Sequence, residues 1–265
     1  MLHEKGLFFL AILGVLALLC AGSPAVAQDA PDLGTTKTFA VLGATTVTNT
    51  GASVLSGDLG IFPGTSITGF PPGVVENGTI HAADAVAQQA QNDLTTAYNN
   101  FAGQPCGTHL TGQDLGGLTL VSGVYCFDSS AQLTGTLTLD AQGDPNAVFI
   151  FQIGSTLTTA SNSSVEIING GSSCNVFWQV GSSAILGTTT SFAGSILALA
   201  SITLNTGANV SGRLLAQNGA VTLDTNEIDA PLCVNPATLP SGQQTGFYSA
   251  TITATGGAGD HTFAV

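Results

Sequence analysis

The residues of this chain best suited to chemistry are hydroxyl and amide side chains in a repeated phrase. The phrase is Leu, any residue, Thr, two small residues, then Asn or Ser, and it occurs at 157–163 (LTTASNS), 186–192 (LGTTTSF) and 204–210 (LNTGANV). A related segment lies upstream at 49–54 (NTGASV). The Thr hydroxyl can hydrogen-bond water, its methyl group orders neighbouring water, and its branched Cβ is stiff at χ1. Repeated side chains of this kind predict a surface that binds water in a regular pattern.

The spacing of these phrases predicts the elements that carry them. Thr188 and Thr206 are 18 residues apart, whereas the interval from Thr159 to Thr188 is 29, which fits one coil with an extra loop at 169–174. Apolar phrases recur in step, at 148–151 (VFIF), 176–179 (VFWQ), 195–198 (SILA) and 213–216 (RLLA). About 18 residues suffice for three short strands and three corners. We therefore predict one turn of a triangular β-solenoid per copy.

The composition agrees with stacked strands. The chain has 265 residues, of which 7% are charged and 44% are hydrophobic, with 34 Gly. A disordered chain would combine low hydrophobicity with high charge. Abundant Gly instead suits tight corners, where positive φ is needed.

The charge excludes two classes of partner. The net charge is −13, and the strong bases are Lys5, Lys37 and Arg213. Because phosphate binding needs clustered Lys or Arg, we exclude nucleic acids and an anionic membrane surface.

The N-terminus predicts export. Residues 1–27 have a basic start, an apolar core at 7–20 and a small-residue cleavage site at 25–27, which is typical of a signal peptide. A mature chain starting at Gln28 is expected to be secreted. It retains four cysteines, for which three pairings are possible, with free buried thiols as the alternative. We predict disulfides Cys106–Cys126 and Cys174–Cys233, as expected for an exported chain.

Outside the repeats, the sequence predicts one long helix and a different C-terminal region. Apolar residues at three- and four-residue spacing predict a helix over 80–101, which must lie along one side of the solenoid. The segment 35–61 is expected to join the same stack, because it matches the later coil at 196–212. After Cys233, residues 234–265 are predicted to be a linker followed by the start of an immunoglobulin-like repeat, with a strand at 247–255. The solenoid domain is thus predicted to span 28–233.

Residues 33–233 resemble the microbial ice-binding, or antifreeze, protein family. The resemblance rests on 50–53 (TGAS) followed by 57–60 (GDLG), on the helix, and on the run 148–228. It implies a mainly β fold: a discontinuous right-handed triangular β-solenoid with one long α-helix packed along it. It also implies an ice crystal surface as the partner. The family carries Thr, Ala or Gly, any residue, then Thr or Asn on a flat face, a pattern matched at 159–162 (TASN) and 206–209 (TGAN).

The resemblance leads to a specific site hypothesis. One residue repeated in every coil would form a two-dimensional grid, with about 4.7 Å between strands and about 6.6 Å along them, comparable to repeats on ice faces. We expect a central rank of Thr with Asn or Ser beside it, all coplanar and facing solvent. The predicted residues are Thr50, Ser53, Thr159, Asn162, Thr188, Ser191, Thr206 and Asn209.

Two other classes of function were weighed. Solenoid carbohydrate lyases need clustered carboxylates and a strong base, but Lys37 and Arg213 are far apart, and the pair Asp140 and Asp144 is typical of a solvated corner. The histidines lack metal-ligand spacing. We therefore expect no catalytic residue, metal or cofactor. A secreted structural or adhesive module is the rival hypothesis, attached to a cell surface through further C-terminal repeats.

Overall fold

The computed structural model describes residues 30–235 and 251–256. In chain order the strands are β1 (Phe39–Gly43), β2 (Thr46–Thr50), β3 (Val54–Ser56), β4 (Asp58–Ile61), β5 (Ser66–Thr68), β6 (Val74–Glu76), β7 (Ile80–Ala82), β8 (Thr108–His109), β9 (Thr119–Val121), β10 (Gly123–Phe127), β11 (Ala131–Leu133), β12 (Thr136–Asp140), β13 (Phe149–Ile153), β14 (Leu157–Thr159), β15 (Ser164–Ile168), β16 (Val176–Val180), β17 (Ala184–Leu186), β18 (Ser191–Ala193), β19 (Ser195–Ala198), β20 (Ile202–Leu204), β21 (Asn209–Ser211), β22 (Leu214–Ala216), β23 (Val221–Asp224), β24 (Glu227–Asp229), β25 (Leu232–Asn235) and β26 (Thr253–Gly256). The α-helix is α1 (Ala85–Ala102), and short 3₁₀ turns cover Gly34–Thr38 and Ser173–Asn175.

The strands form three parallel sheets that enclose one core. Sheet A has the order β7-β4-β1-β22-β19-β16-β13-β10-β8, sheet B has β11-β14-β17-β20-β23-β2-β5, and sheet C has β6-β3-β24-β21-β18-β15-β12-β9. Each coil contributes one strand to each sheet, so the predicted triangular β-solenoid is confirmed. Successive coils are 18 or 19 residues apart where Ile185 pairs with Thr203 and Thr203 with Thr222.

The stack is discontinuous, as the sequence indicated. Strands β1, β2 and β3 pair with β22, β23 and β24, although almost the whole solenoid separates them in sequence. The N-terminal coils therefore lie beside the C-terminal coil, in the interior of the stack. The chain must then travel from β7, at one end, to β8, at the other end.

Burial differs between the sheets and explains the two kinds of repeated phrase. Strands of sheet A are buried on both sides, so they carry continuous apolar runs such as β16. In that strand Trp178 points into the solenoid core, whereas Phe177 packs in the second core beneath the helix. Strands of sheets B and C alternate, with inward apolar residues flanking an outward polar one, as in β14.

The helix α1 covers sheet A and makes the long connection. Its 18 residues span about 27 Å, and the nine strands of sheet A span about 38 Å. The predicted apolar stripe is buried at Ala87, Ala90, Leu94, Ala97, Tyr98 and Phe101. Between these residues, the buried Gln91 donates to the backbone carbonyls of Gly43 (3.0 Å) and Ala216 (3.1 Å), which bridges the junction between the two parts of the stack.

The predicted start of the helix at Ile80 is wrong. Residues Ile80–Ala82 form β7, because they pair with β4 at the edge of sheet A, where Leu59 is opposite Ile80. The helix begins after Asp84, whose carboxylate accepts a hydrogen bond from Ala87 N at 2.8 Å. Apolar spacing alone could not separate an edge strand from a first helical turn.

The Asp84 cap predicts a pH dependence of stability. The backbone N–H of Ala87, and after it the side chain of His81, hold the pKa of Asp84 below its ordinary value. A carboxyl with a lowered folded-state pKa stabilises the fold above about pH 4, and this contribution is lost as the pH falls through the folded-state value. The stability difference between wild type and Asp84→Asn is therefore expected to shrink between pH 6 and pH 3 in urea unfolding. A difference that grows on acidification would contradict this.

Both predicted disulfides are present: Cys106–Cys126 and Cys174–Cys233. The first ties the segment after α1 to β10, and the second ties β25 to the 3₁₀ turn before β16. Strand β25 pairs antiparallel with β26, so Val234 and Asn235 are in a strand rather than in the predicted linker. The signal peptide and most of the immunoglobulin-like tail lie outside the described residues, and both stay predictions.

Candidate functional site

The outward side of sheet B carries a long row of threonines. The seven strands are in register, and one row crosses all of them: Gln132, Thr158, Ile185, Thr203, Thr222, Thr48 and Thr68. Each member is exposed or half-buried. We call the outward side of sheet B, with this row along its middle, the B face. Seven strands at the usual separation give the row a length of about 29 Å.

The sheet holds this row rigidly. Each member lies between two inward residues that belong to the core, as Thr203 lies between Ile202 and Leu204, which are 0% and 1% exposed. The hydroxyl of Thr48 donates to that of Thr222 at 3.4 Å across neighbouring strands. Along β2, Thr46, Thr48 and Thr50 extend the pattern at two-residue spacing. The B face is therefore a grid of small hydroxyl groups with few rotamers.

The other two faces of the prism differ from the B face. The outward side of sheet A is covered by α1 and forms the second apolar core. The outward side of sheet C carries carboxylates, including Glu76, Asp229 and Glu166, on strands β6, β24 and β15. No charged residue occupies the middle row of the B face. The B face thus combines solvent exposure, regular spacing and the absence of charge along its centre.

One carboxylate lies at the rim of the B face, at the end of β23. The half-buried Asp224 pairs with Thr50 in the neighbouring strand. It accepts hydrogen bonds from the hydroxyl of Thr206 and, at 3.2 Å, from that of Thr225. These hydroxyls replace part of its water, which fits the prediction that Asp224 lies off the face or at its rim.

The structure does not bring the eight predicted site residues into one rank. Thr50 ends a strand of sheet B, whereas Thr188 and Thr206 are exposed at the corner between sheets B and C. Ser191 and Asn209 are a cross-strand pair on sheet C. Five or more coplanar side chains cannot be assembled from these positions. The expectation of a single flat rank of these residues is wrong.

Two of the predicted residues do not face solvent. Thr159 is 3% exposed, and its hydroxyl contacts the hydroxyl of Thr190 at 2.8 Å and accepts from Gly187 N at 2.8 Å. Ser53 is fully buried, and its hydroxyl accepts from Asn226 N at 2.9 Å. Both hydroxyls therefore satisfy backbone groups inside a corner. A third, Asn162, is exposed but accepts from the Thr189 hydroxyl at 2.6 Å, in a corner with positive φ.

The cause of this error is a two-residue slip in the alignment of coils. The structure pairs Leu157 with Ala184 and Ser164 with Ser191, an offset of 27 residues rather than the 29 inferred from the repeated phrases. Thr159 is therefore level with Leu186 and inward. The Thr188 and Thr206 alignment holds, because Ile185 pairs with Thr203 at an offset of 18.

The buried corner hydroxyl gives a prediction about stability. Thr159→Val removes the acceptor for Gly187 N and the partner of Thr190 while keeping the shape, so we expect a loss of about 1–3 kcal/mol in the free energy of unfolding. Urea denaturation measures this loss. The neighbouring Thr158→Val is the matched control, because Thr158 is exposed and should change stability by less than about 0.5 kcal/mol. Equal effects of the two substitutions would contradict the assignment.

The row of threonines on the B face was missed by sequence reasoning. Its signal is a Thr that directly follows a buried apolar residue at the start of a three-residue strand. It occurs at 47–48 (VT), 67–68 (IT), 157–158 (LT), 202–203 (IT) and 221–222 (VT). The corner phrases were more conspicuous, because they contain longer conserved-looking strings of small residues.

Two findings limit the chemistry of the described residues. Within residues 30–235 and 251–256, no three His, Cys, Asp or Glu side chains are grouped so that they could hold a metal ion. In the same ranges, α1 is neither apolar enough nor otherwise suited to span a membrane.

Comparison with known proteins places this geometry in a family. A family model described as ice-binding-like matches residues 41–229, which contain all seven strands of sheet B. The chain belongs to the ice-binding-like family. An ice-binding protein of Nostoc sp. (strain HG1) is 58% identical over 226 residues, which cover 85% of this chain and 83% of that protein.

Solved structures agree with this membership of the ice-binding-like family. The crystal structure of an ice binding protein from an Antarctic biological consortium has a TM-score of 0.75 and 50% identity, covering 77% of this chain and 92% of that one. An ice-binding protein from the Antarctic ascomycete Antarctomyces psychrotrophicus has a TM-score of 0.74 and 43% identity, covering 76% of this chain and 98% of that one. The likeness thus extends to both sequence and fold.

Proposed function

We propose that the protein binds ice crystals through the B face and so inhibits ice growth or recrystallisation. The observation that carries this proposal is the row of five threonines, in register across seven parallel strands, on an exposed face without charge along its centre. Membership of the ice-binding-like family and the names of its relatives support the same function.

The geometry suits a crystalline ligand. Neighbouring strands place equivalent hydroxyls about 4.7 Å apart, and Thr46, Thr48 and Thr50 repeat at about 6.6 Å along one strand. Both distances are comparable to repeats on ice faces. Each hydroxyl can hold one water while its methyl group shields the neighbouring site. Individual water contacts contribute little, but a flat row of them acts together.

The rigidity of the sheet favours adsorption. The β-branched Thr side chains lose few rotamers on binding, so little ordering entropy opposes the contact. The absence of charge along the row also matters, because a charged group would orient its own hydration shell. The exposed Ile185 adds an apolar position in the middle of the row, flanked by Thr158 and Thr203.

The test is growth of a single ice crystal in a solution of the full chain, observed with a nanolitre osmometer. We expect a gap between the melting and growth temperatures, together with faceted crystals. An inert protein at the same concentration is the control. Unfaceted growth at the control temperature would overturn the proposal.

We also propose that the protein is exported and acts without catalysis. Two disulfides suit an oxidising compartment, in agreement with the signal peptide predicted at 1–27. Attachment to a cell surface through further repeats stays a prediction from the C-terminal sequence. Fractionation of the source cells, followed by detection of the chain in the medium, the envelope or the cytoplasm, tests the proposed location.

A further inference from the structure

A cavity of about 740 Å³ lies on the edge of the prism between sheets A and C. Its walls come from three places: the N-terminal segment around Lys37, the turn that contains Cys174, and β25 with Cys233. The Cys174–Cys233 disulfide therefore closes one side. Sheet B forms the opposite side of the triangular section, so the cavity is separate from the B face.

Arg213 is buried in the wall of this cavity without a carboxylate partner among the described residues. It is 1% exposed, and its Nε and Nη2 donate to the carbonyl of Lys37 at 2.9 and 2.7 Å. Nη2 also donates to the carbonyl of Pro231 at 3.1 Å. The two N–H groups of Nη1 have no acceptor within residues 30–235 and 251–256. Burial lowers the pKa of Arg213 to about 10, which leaves it charged at neutral pH.

A second polar group beside Arg213 is also unsatisfied. Ser195 precedes Ile196, whose N–H donates to the carbonyl of Arg213 at 2.8 Å in the neighbouring strand. The Ser195 hydroxyl is buried and has no hydrogen-bond partner in the described part of the chain. Buried polar groups are normally paired. Two unsatisfied groups side by side indicate that the surroundings of the guanidinium are incomplete.

The cavity is also the positive region of an acidic protein. Lys37 and Arg213 are the two Lys or Arg residues of the described ranges, and both line the cavity. Lys37 pairs with Asp32 at 2.6 Å, which leaves a net charge of +1 for these three groups. The net charge of the whole chain is −13. An anion is therefore repelled by most of the surface and attracted here.

The remaining lining indicates the kind of anion. Leu33, Val148 and Phe177 form an apolar wall next to the cationic groups. The volume falls in the range of sites for small organic molecules. An inorganic ion would leave the apolar wall without contacts, whereas an organic acid would use both parts.

We propose that this cavity binds a small organic carboxylate, with its charge against Arg213 and Lys37 and its body on the apolar wall. The proposal goes beyond ice binding and does not depend on it. A free metabolite and a uronic acid unit of a polysaccharide share this chemistry, and the experiment includes a probe for each.

Titration of the full chain with benzoate at low salt, followed by calorimetry, tests the cavity. Benzamide is the matched neutral probe, and we expect it to bind at least about tenfold more weakly, because a charge-assisted hydrogen bond is lost. Galacturonate against galactose repeats the comparison for a sugar acid. Tighter binding of galacturonate than of benzoate would identify the polysaccharide source, and the reverse order would identify the metabolite.

Two variants of opposite sign make the test specific. Lys37→Gln keeps the backbone carbonyl that Arg213 binds and should weaken benzoate about tenfold. Asp32→Asn keeps an oxygen acceptor for Gly34 N but removes the competing charge, so it should tighten binding. Asp128→Asn, at the corner between sheets A and B, changes the net charge equally and should have no effect.

The proposal is overturned if benzoate and benzamide bind equally, if no saturable binding occurs, or if both variants bind like wild type. Thermal hysteresis separates this outcome from failure of ice binding. Both cavity variants should retain the wild-type value, because neither residue lies on the B face.

Discussion

The Thr203→Tyr variant is expected to lose almost all thermal hysteresis while keeping the wild-type stability. Thr203 lies in the central row of the B face, between Ile185 and Thr222. A tyrosine ring there would project above the neighbouring threonines and hold the flat face away from a crystal. Residues at the centre of an interface dominate its energetics, so we expect hysteresis below roughly a tenth of the wild-type value. The nanolitre osmometer measures it, and urea unfolding checks the fold.

The same substitution on sheet C is the matched control. Thr138 is half-exposed in β12, paired with Thr119 and Glu166, and Thr138→Tyr should leave hysteresis unchanged. A third variant, Thr206→Tyr, separates the B face from the corner residues predicted from sequence. We expect a smaller loss from it, because Thr206 lies at the corner. A larger loss from Thr206→Tyr than from Thr203→Tyr would return the site to the corner.

The Trp178→Ala variant is expected to lose about 3–5 kcal/mol of unfolding free energy, which is a large part of the stability of a typical domain. Trp178 is 0% exposed in the centre of the stack. Its ring lies 3.9 Å from that of Phe151 and 4.8 Å from that of Phe192, measured between centroids. Its indole N–H donates to the carbonyl of Ala193 at 3.0 Å. Alanine would leave a cavity between coils and an unpaired carbonyl.

The Trp178→Phe variant divides these two contributions. It keeps an aromatic ring against Phe151 but removes the hydrogen bond to Ala193, so we expect a loss of about 1–3 kcal/mol. Equilibrium urea unfolding, followed by circular dichroism, measures both variants. A loss below about 1 kcal/mol for Trp178→Ala would show that the central stack does not limit the stability of the solenoid.

The sequence was sufficient for the architecture because the fold is written in local repeats. The apolar runs of sheet A, the 18-residue offset between Thr188 and Thr206, and the apolar stripe of α1 each depend on neighbouring residues. Both disulfide pairings were also predicted. The limits of elements were less accessible, as Ile80–Ala82 shows, since an edge strand is defined by its partner.

The site needed information that no single coil contains. Whether a Thr faces outward depends on the register of its strand, and a slip of one residue exchanges the two sides. Thr158 and Thr159 are adjacent and identical, yet the first is exposed and the second is 3% exposed. The coil that contains them has a 27-residue offset to the next one, so matching phrases by eye aligned the wrong threonine.

The meeting of β1–β3 with β22–β24 in mid-stack sets a rule for changes in length. An ordinary solenoid can be shortened from its end, one repeat at a time. Here removal of the last coil, residues 213–230, would extract an inner layer and leave a gap in the threonine row between Thr203 and Thr48. Longer or shorter relatives of this fold should therefore gain or lose coils within the continuous run 108–212, and the terminal coil should be the last one that a truncation can spare.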